Sequence, residues 1–243
     1  MTKTRADTLL VARGLFESRA KAQAAIAAGL VSADGAPVRK ASEALPETAA
    51  IEASAPHPYV SRGALKLEAG LDAFGFDPAG LACLDVGAST GGFTDVLLAR
   101  GARHVVAVDV GRDQLHPRLR ADPRVDGREG CDARALDLAA LPHPVDLIVS
   151  DLSFVSLRIA LAPVLDQARP GTRLVALIKP QFEAGRAALD KRGIVRDAAV
   201  RERVGTEIAA FLAARGWRVQ GRVPSPIAGG DGNLEELIGA VRG

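Results

Sequence analysis

The stretch LDVGASTGGFTDVLL, residues 84–98, decides the fold of this chain. It leaves an apolar run, passes through a cluster of glycines and enters an amphipathic segment. This order is typical of a buried strand, a tight loop and a helix, and the glycines allow the backbone to approach a neighbouring group closely. We therefore predict a ligand-binding loop at the end of a buried strand.

The pattern around this stretch extends the prediction to a whole domain. Apolar strands are predicted in ACLDVGA, HVVAVDVG, DLIVSDLSF and TRLVALIKP, and helices over residues 62–75, 91–101, 156–169 and 198–216. The runs WRVQGRVPSP and LEELIGAVRG follow the last helix. Apolar strands that alternate with helices indicate an α/β fold with a largely parallel sheet. We assign residues 59–243 to this Rossmann-like domain.

Residues 1–58 read as a small α+β module with a linker. The sequence predicts a first helix capped by Asp7 and a second helix capped by Ser18 and ended by Gly29. The dipeptide Asp34-Gly35 then predicts a hairpin. A final strand is predicted at residues 50–53. The domain boundary is expected in the Pro- and His-containing connector, residues 54–58.

Composition excludes several classes of protein. The chain has 243 residues, 48% hydrophobic and 25% charged, with a net charge of +2, which is ordinary for a globular protein. The polar N-terminus does not resemble a signal peptide, and no apolar run approaches the ~18 residues of a membrane helix. Cys83 and Cys131 have neither redox nor metal-ligand spacing. We expect a cytoplasmic protein with no membrane partner and no metal.

The acidic residues around the glycine loop favour one class of cofactor. NAD requires the spacing G-x-G-x-x-G, which the loop from Gly87 does not have. Asp85 precedes the loop, where a carboxylate suits an ammonium group or an ordered water. Asp109 ends the next strand, where it could accept from ribose hydroxyls, and Asp132 could read an adenine amino group. These features favour S-adenosylmethionine, with a ligand-free glycine turn as the alternative.

The predicted cofactor site gathers the loop and these acids. We expect it to contain Asp85, Gly87, Ala88, Ser89, Gly91, Gly92, Phe93, Asp109 and Asp132.

Four charged residues are placed where chemistry could occur. Asp151 and Lys179 each follow an apolar strand, so both should lie on the same edge of the sheet as the glycine loop. Lys66 lies in the helix ahead of the first strand, and Glu235 lies at or near the last strand. The alternative for each residue is a strand end that simply meets water.

The motifs together resemble those of a known family. Residues 5–41 resemble an S4 RNA-binding module. The runs HPYVSRGALKL, CLDVGASTGGFTD, SDLSFVSL, LIKPQFEAGR and SPIAGGDGNLEELI are similar to the TlyA/haemolysin-A family, in order and over nearly the whole chain. The resemblance implies an S4 module joined to an FtsJ-like, S-adenosylmethionine-dependent methyltransferase domain. It also implies 2′-O-methylation of ribosomal RNA, with cytidine as the expected nucleotide.

FtsJ-like enzymes use a Lys-Asp-Lys-Glu set, which the resemblance carries onto this chain by motif. The set maps to Lys66, Asp151, Lys179 and Glu235, with Glu236 as a lesser candidate for the last position. The chain departs from the family in RADTLL, where relatives commonly show Arg-Leu-Asp, and in SRGALKL, which replaces a double glycine. Neither departure touches the four proposed groups.

The chemistry of this set is consistent with methyl transfer to a hydroxyl. A ribose 2′-hydroxyl is a poor nucleophile, so transfer needs an in-line approach and help with the departing proton. A lysine accepts that proton only as a neutral amine, which partial burial and a second ammonium group favour. We therefore expect Lys179 to be the proton acceptor, with Lys66, Asp151 and Glu235 tuning and orienting it.

Basic residues of the S4-like module are candidate contacts to ribosomal RNA or ribosomal subunits. These candidates are Arg13, Arg19, Lys21, Arg39, Lys40 and, next to the linker, Arg62. The alternative is a solvated helix face, since nearby acids almost balance their charge. Phe154 could contact a base, but a core position is the more common place for such an aromatic.

Three other functions account less well for these sequence features. A non-catalytic RNA-binding or ribosome-assembly factor would not need the glycine loop together with all four polar groups. A haemolysin-like membrane-active protein lacks a supporting apolar or cationic amphipathic span. A base methyltransferase would be expected to carry an Asn/Asp-Pro-Pro-aromatic motif, and SDLSF is not one.

Overall fold

The computed structural model describes residues 3–55 and 57–243. The chain divides into two compact units, Met1–Pro58 and Tyr59–Gly243, here called the first and the second unit. The first unit buries one hydrophobic cluster of its own, and the second unit buries two.

The first unit is a small α+β fold. Its elements are β1 (Lys3–Arg5), α1 (Ala6–Ala12), α2 (Arg19–Ala27), β2 (Val31–Ala33), β3 (Ala36–Pro37), β4 (Ala44–Pro46) and β5 (Ile51–Ala53). Strand β2 pairs antiparallel with β3 and β5, and β1 pairs antiparallel with β4. The predicted order of two helices and a hairpin is confirmed. The pair β1–β4 was not predicted, because three-residue strands carry too little alternation to be recognised.

Local turn chemistry explains most boundaries in this unit. The Ser18 side chain accepts a hydrogen bond from the Lys21 amide and so caps α2, as predicted. Gly29, with φ of 72°, follows the end of that helix. Asp34 and Gly35 both have positive φ, which is the backbone of a two-residue hairpin turn.

The predicted capping role of Asp7 is wrong. Arg5 occupies the N-cap position of α1, and Asp7 lies inside the first turn with its side chain fully buried. Its carboxylate accepts hydrogen bonds from Arg5, Arg19 and Gln23. The bond from Arg5, above all, lowers the pKa of Asp7. The carboxylate therefore ties the two helices together instead of capping one of them.

The second unit is an α/β fold around a seven-stranded sheet. Its strands are β6 (Ala82–Val86), β7 (His104–Asp109), β8 (Val125–Glu129), β9 (Leu147–Ser150), β10 (Arg173–Ile178), β11 (Trp217–Pro224) and β12 (Glu236–Arg242). Its helices are α3 (Ala64–Phe74), α4 (Gly92–Ala99), α5 (Pro117–Arg120), α6 (Leu157–Ala160), α7 (Ala162–Gln167), α8 (Pro180–Glu183) and α9 (Ala198–Ala213). Short 3₁₀ turns lie at Ala133–Ala135, Leu138–Ala140 and Arg186–Ala188.

The strand order positions a ligand crevice. The order is β11-β12-β10-β9-β6-β7-β8, in which β12 runs antiparallel to both neighbours and the other pairs are parallel. The chain leaves β6 toward β7 on one side and returns to β9 on the other. Ligands of such sheets bind at the carboxyl ends of the strands beside this switch. The predicted α/β, Rossmann-like class is confirmed.

Two predicted features of this unit are wrong. Strand β8 was missed because its sequence VDGRE is polar and it lies at the edge of the sheet, where no apolar run is required. The single helix predicted over residues 156–169 is two short helices that meet at Leu161. Pro163 lacks an amide hydrogen and starts a new helix more readily than it continues one.

The length and apolar character of the described helices bear on whether any of them could span a membrane. None of them is both long enough and apolar enough to cross a bilayer.

Candidate active site

The glycine loop after β6 is shaped by the packing of the protein itself. The amides of Gly87 and Ala88 both donate to the Val108 carbonyl, at 2.9 and 3.1 Å. A Cβ on Gly87, where φ is 85°, would lie 3.1 Å from the Leu152 side chain and 3.3 Å from the Asp151 carbonyl oxygen. The loop therefore lies directly against the segment that follows β9.

The other two glycines of the loop meet neighbouring elements in the same way. A Cβ on Gly91 would overlap the side chains of Leu115 and Leu119, and a Cβ on Gly92 would overlap Ser61 Oγ. Ser89, between Gly87 and Gly91, has a φ of 48°, a backbone region that non-glycine residues rarely occupy. The sequence explained the glycines by the approach of a ligand, whereas the structure shows that they also let β9, α3 and α5 close around the loop.

Asp85 lies beneath the loop and not on its open face. The side chain is fully buried, and Oδ2 accepts hydrogen bonds from the Thr94 amide and hydroxyl at 3.0 and 2.7 Å. Burial raises the pKa of Asp85 to about 7. Oδ1 has no hydrogen-bond partner among the described residues. The carboxylate thus fixes the start of α4 and retains one unsatisfied acceptor next to the loop.

Asp109 and Asp132, the two other acids predicted to bind the cofactor, differ in what their carboxylates contact. Asp109 accepts from the Ser89 amide at 2.8 Å and from the Gly111 amide at 2.7 Å, so it joins the glycine loop to the end of β7. Asp132 caps a 3₁₀ turn and pairs with Arg134 at 2.6 Å, and both side chains are substantially exposed. Asp109 is therefore part of the loop scaffold, whereas Asp132 is occupied by a neighbour on the surface.

A cavity of about 320 Å³ opens beside the loop, within the range of small-molecule sites. It is lined by Ser61, Arg62, Gly63, Lys66, Gly87, Ala88, Ser89, Thr90, Gly92, Phe93, Asp151, Ser153, Lys179, Ile227, Ala228 and Gly230. Of the predicted cofactor residues, Gly87, Ala88, Ser89, Gly92 and Phe93 are in this lining. Asp85, Gly91, Asp109 and Asp132 are not.

Lys66 and Glu235 form the first of two ion pairs at this cavity. Lys66 Nζ lies 2.5 Å from Glu235 Oε2, and both side chains are almost entirely buried. Helix α3 carries Lys66 across the sheet because Gly70, one turn later, packs on β10 and β12. A Cβ on Gly70 would lie 2.8 Å from Val175 Cγ1. The close approach of α3 to the sheet therefore places Lys66 beside Glu235, which lies far along the chain.

Lys179 and Asp151 form the second ion pair. Lys179 Nζ lies 2.7 Å from Asp151 Oδ1 and donates a hydrogen bond of 2.7 Å to Ser153 Oγ. The antiparallel register between β10 and β12 ends at Ile178 and Glu236. The next residue on each side, Lys179 and Glu235, therefore emerges at the same edge of the sheet, and this register explains why both ion pairs meet there.

Glu236, the lesser candidate, is used elsewhere. It accepts a hydrogen bond from Arg222 at 3.0 Å, and the same guanidinium pairs with Glu202. Glu235, and not Glu236, is therefore the ion-pair partner of Lys66.

Ser153 and Phe154 are the residues that sequence reasoning missed or misplaced. Ser153 belongs to the recognised SDLSF run but was given no role, although it contacts Lys179 directly. The prediction that Phe154 is a core aromatic is wrong, because the residue is 91% exposed. It has a φ of 66°, and its ring contacts Phe182 at 5.3 Å. Residues held in such sparsely populated backbone regions cluster at functional sites.

The predicted RNA contacts are not all free to bind phosphate. Arg13 donates to the carbonyl oxygens of Glu47 and Ala49, Arg19 pairs with Asp7, and Lys21 pairs with Glu17. The exposed side chains of Arg39 and Lys40 make no ion pair with described residues.

Arg62, in the second unit, is exposed and lies on the wall of the cavity. No carboxylate of the described chain pairs with it.

The residues present fit a nucleoside donor with an amino-acid end. The cavity runs along the glycine loop, and the unsatisfied Asp85 Oδ1 beneath that loop is an acceptor that a bridging water could satisfy. Asp109 lies at the adjacent strand end. Within residues 3–55 and 57–243, no group of three or more His, Cys, Asp or Glu side chains is arranged to hold a metal ion.

Comparison with known proteins gives concordant matches. Residues 59–242 match the family described as FtsJ-like methyltransferase, and residues 4–51 match the S4 domain. The protein named 16S/23S rRNA (cytidine-2'-O)-methyltransferase TlyA, from Mycobacterium tuberculosis, is 45% identical over 238 residues, which cover 97% of this chain and 89% of that protein.

Two further relatives carry a different name. Hemolysin A of Brachyspira hyodysenteriae is 40% identical over 235 residues, covering 96% of this chain and 98% of that protein. A solved structure of a hemolysin from Streptococcus thermophilus is 39% identical with a TM-score of 0.77, covering 100% of this chain and 89% of that one.

Proposed function

The chain belongs to the FtsJ-like methyltransferase family and joins that domain to an S4 domain, and from this premise we propose that it methylates the 2′-hydroxyl of a cytidine in ribosomal RNA. The methyl donor is S-adenosylmethionine. The observation that carries the proposal is the meeting of two lysine–carboxylate pairs, Lys66–Glu235 and Lys179–Asp151, at the cavity beside the glycine loop.

The donor would be held along the glycine loop. Gly87, Ala88 and Ser89 supply backbone to the cavity wall, and Asp109 anchors that loop through the Ser89 amide. When bound, the donor supplies an electrophilic methyl group on a sulfonium. Asp85 acts from beneath, by fixing the start of α4 and offering its free oxygen.

Lys179 is the residue that takes the proton from the attacking 2′-hydroxyl. Its amine reaches the cavity, and its contacts with Asp151 and Ser153 hold it there. The proton must leave as the new C–O bond forms, because a protonated ether oxygen is a poor product. A base at the wall of the cavity is placed to receive it.

Lys66 and Glu235 support this arrangement electrostatically. Their pair is more deeply buried than the Lys179 pair, which limits the movement of either side chain. The ammonium of Lys66 also places a second positive charge at the same cavity.

The RNA partner is inferred from the S4 domain and from the names of the relatives. Arg39 and Lys40 in the first unit and Arg62 in the second unit are the cations best placed for phosphate contact, since they are exposed and without a carboxylate partner in the described chain. Arg13, Arg19 and Lys21 would contribute after exchanging their present partners. A ribosomal substrate implies action in the cytoplasm.

Phe154 is the candidate contact to a nucleobase. Its ring is exposed and follows Ser153, a residue of the cavity wall. Stacking of a base on an aromatic side chain contributes about 1–3 kcal/mol and tolerates any base.

The deciding experiment compares Lys179→Ala with Lys179→Arg. Transfer of a labelled methyl group to rRNA is measured on purified ribosomal subunits and on naked rRNA, and donor binding is measured by calorimetry. Both variants should bind S-adenosylmethionine and neither should transfer, because arginine keeps the charge beside Asp151 but cannot give up its proton. Turnover by Lys179→Arg would show that charge alone is sufficient and would remove the base from the mechanism.

The wild-type protein separates this function from the main alternative. A ribosome-assembly factor would bind rRNA without binding the donor, whereas the proposed enzyme binds both and leaves a 2′-O-methyl group. Mapping that modification in rRNA after the reaction identifies the nucleotide and the subunit.

A further inference from the structure

Ser153 offers a hydroxyl to Lys179 that the Lys-Asp-Lys-Glu set does not include. Its Oγ and Asp151 Oδ1 each lie 2.7 Å from Lys179 Nζ. All three residues line the cavity. The Ser153 contact is a hydrogen bond, whereas the Asp151 contact is an ion pair without hydrogen-bond geometry, so Ser153 directs the amine in a way that Asp151 does not.

The constraint follows from the bonding of a neutral amine. Its nitrogen carries one carbon, two hydrogens and one lone pair in a tetrahedral arrangement. When one hydrogen points to Ser153 Oγ and the carboxylate of Asp151 lies against the nitrogen on a second side, the lone pair takes the direction that remains. With only the ion-pair contact to Asp151, the amine could rotate about its C–N bond and turn the lone pair away from a substrate.

The segment that carries Ser153 is itself anchored to the element that carries Lys179. Glu183, which is buried, accepts hydrogen bonds of 2.6 Å from the Ser156 hydroxyl and from the Leu157 amide. Glu183 lies four residues after Lys179, in α8. The loop is thus attached to the β10–α8 segment at two points, which keeps Ser153 at a constant distance from the amine.

We propose that Ser153 is a positioning residue that, together with Asp151, sets the direction of the Lys179 lone pair for the 2′-hydroxyl proton. The inference rests on the proposed function. It predicts a loss in the chemical step and not in substrate binding, because Ser153 acts through Lys179.

The test compares Ser153→Ala with Ser153→Thr and uses Thr206→Ala as the control. Thr206 lies on α9, outside the cavity lining, and its exposed hydroxyl donates to Glu202. The Ala variant should lower kcat about tenfold to a hundredfold, since small misplacements of a reacting group have effects of this size. KM for rRNA, donor affinity and Tm should stay unchanged, and Thr, which keeps the hydroxyl, should restore most of kcat.

The possible outcomes are distinct. A Ser153→Ala enzyme with normal kcat, or one whose loss Thr206→Ala reproduces, would overturn the role of Ser153 while wild-type turnover and an inactive Lys179→Arg leave the proposed function intact. Absence of transfer by the wild-type protein would overturn both together. A loss in Tm that accompanies the loss in kcat would assign Ser153 to loop stability and also overturn the proposal.

The connection between α8 and α9 contains both acidic and basic residues. Its acids are occupied internally: Asp190 pairs with Arg196 and accepts from two backbone amides, and Asp197 caps α9. Arg186, Lys191 and Arg192 are exposed, and none of them pairs with a carboxylate in the part of the chain that the structure describes. This leaves three uncompensated cations within seven residues.

This basic segment is joined to the wall of the cavity. Asn233, which is 1% exposed, accepts from the Val195 amide at 3.0 Å and donates to the Gly193 carbonyl at 3.1 Å. Asn233 belongs to the β11–β12 loop, which contributes Ile227 and Ala228 to the cavity lining. The basic segment is therefore attached to the loop that forms one wall of the cavity.

We infer that Arg186, Lys191 and Arg192 bind backbone phosphates of the RNA strand that flanks the target nucleotide. This assignment also rests on the proposed function, and it adds to it a phosphate-binding surface in the second unit. Phosphate contacts release condensed counterions, so each one steepens the dependence of affinity on salt.

The test measures binding, without turnover, to purified rRNA at several salt concentrations. The variant R186Q/K191Q/R192Q should weaken binding and reduce the slope of log K against log salt by about 2–3, with donor affinity unchanged. The control R103Q/R173Q/R218Q removes the same charge near the amino ends of β7, β10 and β11 and should leave the slope near the wild-type value. Equal slopes for both triple variants would overturn the assignment, as would a slope identical to wild type. A wild-type protein that binds rRNA but does not methylate it would refute the proposed function alone.

Discussion

Lys66 Nζ and Glu235 Oε2 lie 2.5 Å apart although 169 residues separate them in the chain. The pair joins the helix that enters the second unit to the residue that precedes its last strand, and it closes one side of the candidate active site. Both side chains are withdrawn from water, so each charge depends on the other for stabilisation.

Removal of one partner of this pair should therefore destabilise the fold. Glu235→Ala leaves the Lys66 ammonium buried without a counter-charge, and loss of one member of a buried pair typically costs about 3–5 kcal/mol. Urea unfolding of the variant measures this free energy. Glu236→Ala is the control, because its more exposed pair with Arg222 should contribute about 1 kcal/mol or less. Equal losses for the two variants would contradict the prediction.

Asp85 should make the stability of the protein depend on pH. Burial raises the pKa of this carboxyl to about 7 in the folded chain, against about 3.9 in an unfolded one. The folded state binds the proton more tightly, so the contribution of Asp85 to stability is complete below about pH 4 and is lost as pH rises to about 7.

The variant Asp85→Asn tests directly whether the stability contributed by Asp85 falls as pH rises. The amide keeps an oxygen for the Thr94 donors but does not ionise. The free energy of unfolding at pH 5 minus that at pH 8 should be smaller in the variant than in the wild type. The same difference in both proteins would show that Asp85 does not titrate in this range.

Phe154→Ala should separate RNA binding from stability. Because the ring is 91% exposed, its removal should leave Tm nearly unchanged. Loss of a stacking contact of about 1–3 kcal/mol should lower kcat/KM for rRNA about tenfold or more, with donor affinity unaffected. Ile159→Ala, which truncates another exposed apolar side chain outside the cavity lining, is the control. A fall in Tm with normal kcat/KM would contradict the prediction and would show that Phe154 stabilises the fold.

The basic residues of the first unit should fall into two groups. Arg13→Gln removes hydrogen bonds to the carbonyls of Glu47 and Ala49 and should lower the stability of that unit, as reported by hydrogen exchange of its amides. The double variant R39Q/K40Q should leave that exchange unchanged and reduce the salt slope of rRNA binding by about 2. An unchanged salt slope would mean that this surface does not meet phosphate.

Much of the fold could be predicted because its signals are local. Alternating apolar strands and helices gave the α/β class, and Ser18, Gly29 and Asp34-Gly35 marked boundaries that the structure has. The failures share a cause. Asp7 is placed like an N-cap in the sequence, but its carboxylate instead accepts hydrogen bonds from Arg5, Arg19 and Gln23. The edge strand β8 has no apolar face that a sequence pattern could reveal.

The candidate site shows the same division. Asp151 and Lys179 could be placed at strand ends from the sequence, because an apolar run and the residue after it are neighbours in the chain. Ser153 as the hydrogen-bond acceptor of Lys179, and Phe154 as an exposed ring, depend on how the loop after β9 is held by Glu183 of α8. No local pattern encodes that attachment.

The sequence by itself determined the class of the sheet, the glycine loop and the positions of Asp151 and Lys179 at strand ends, because periodicity and motif spacing are properties of neighbouring residues. Tertiary structure alone decided that Lys66 pairs with Glu235, that Lys179 contacts both Asp151 and Ser153, and that Asp85 lies beneath the loop. The reason is physical: the partner of a charge is chosen by strand register and by the closeness of packing, as at Gly70, and both are set only when distant segments meet.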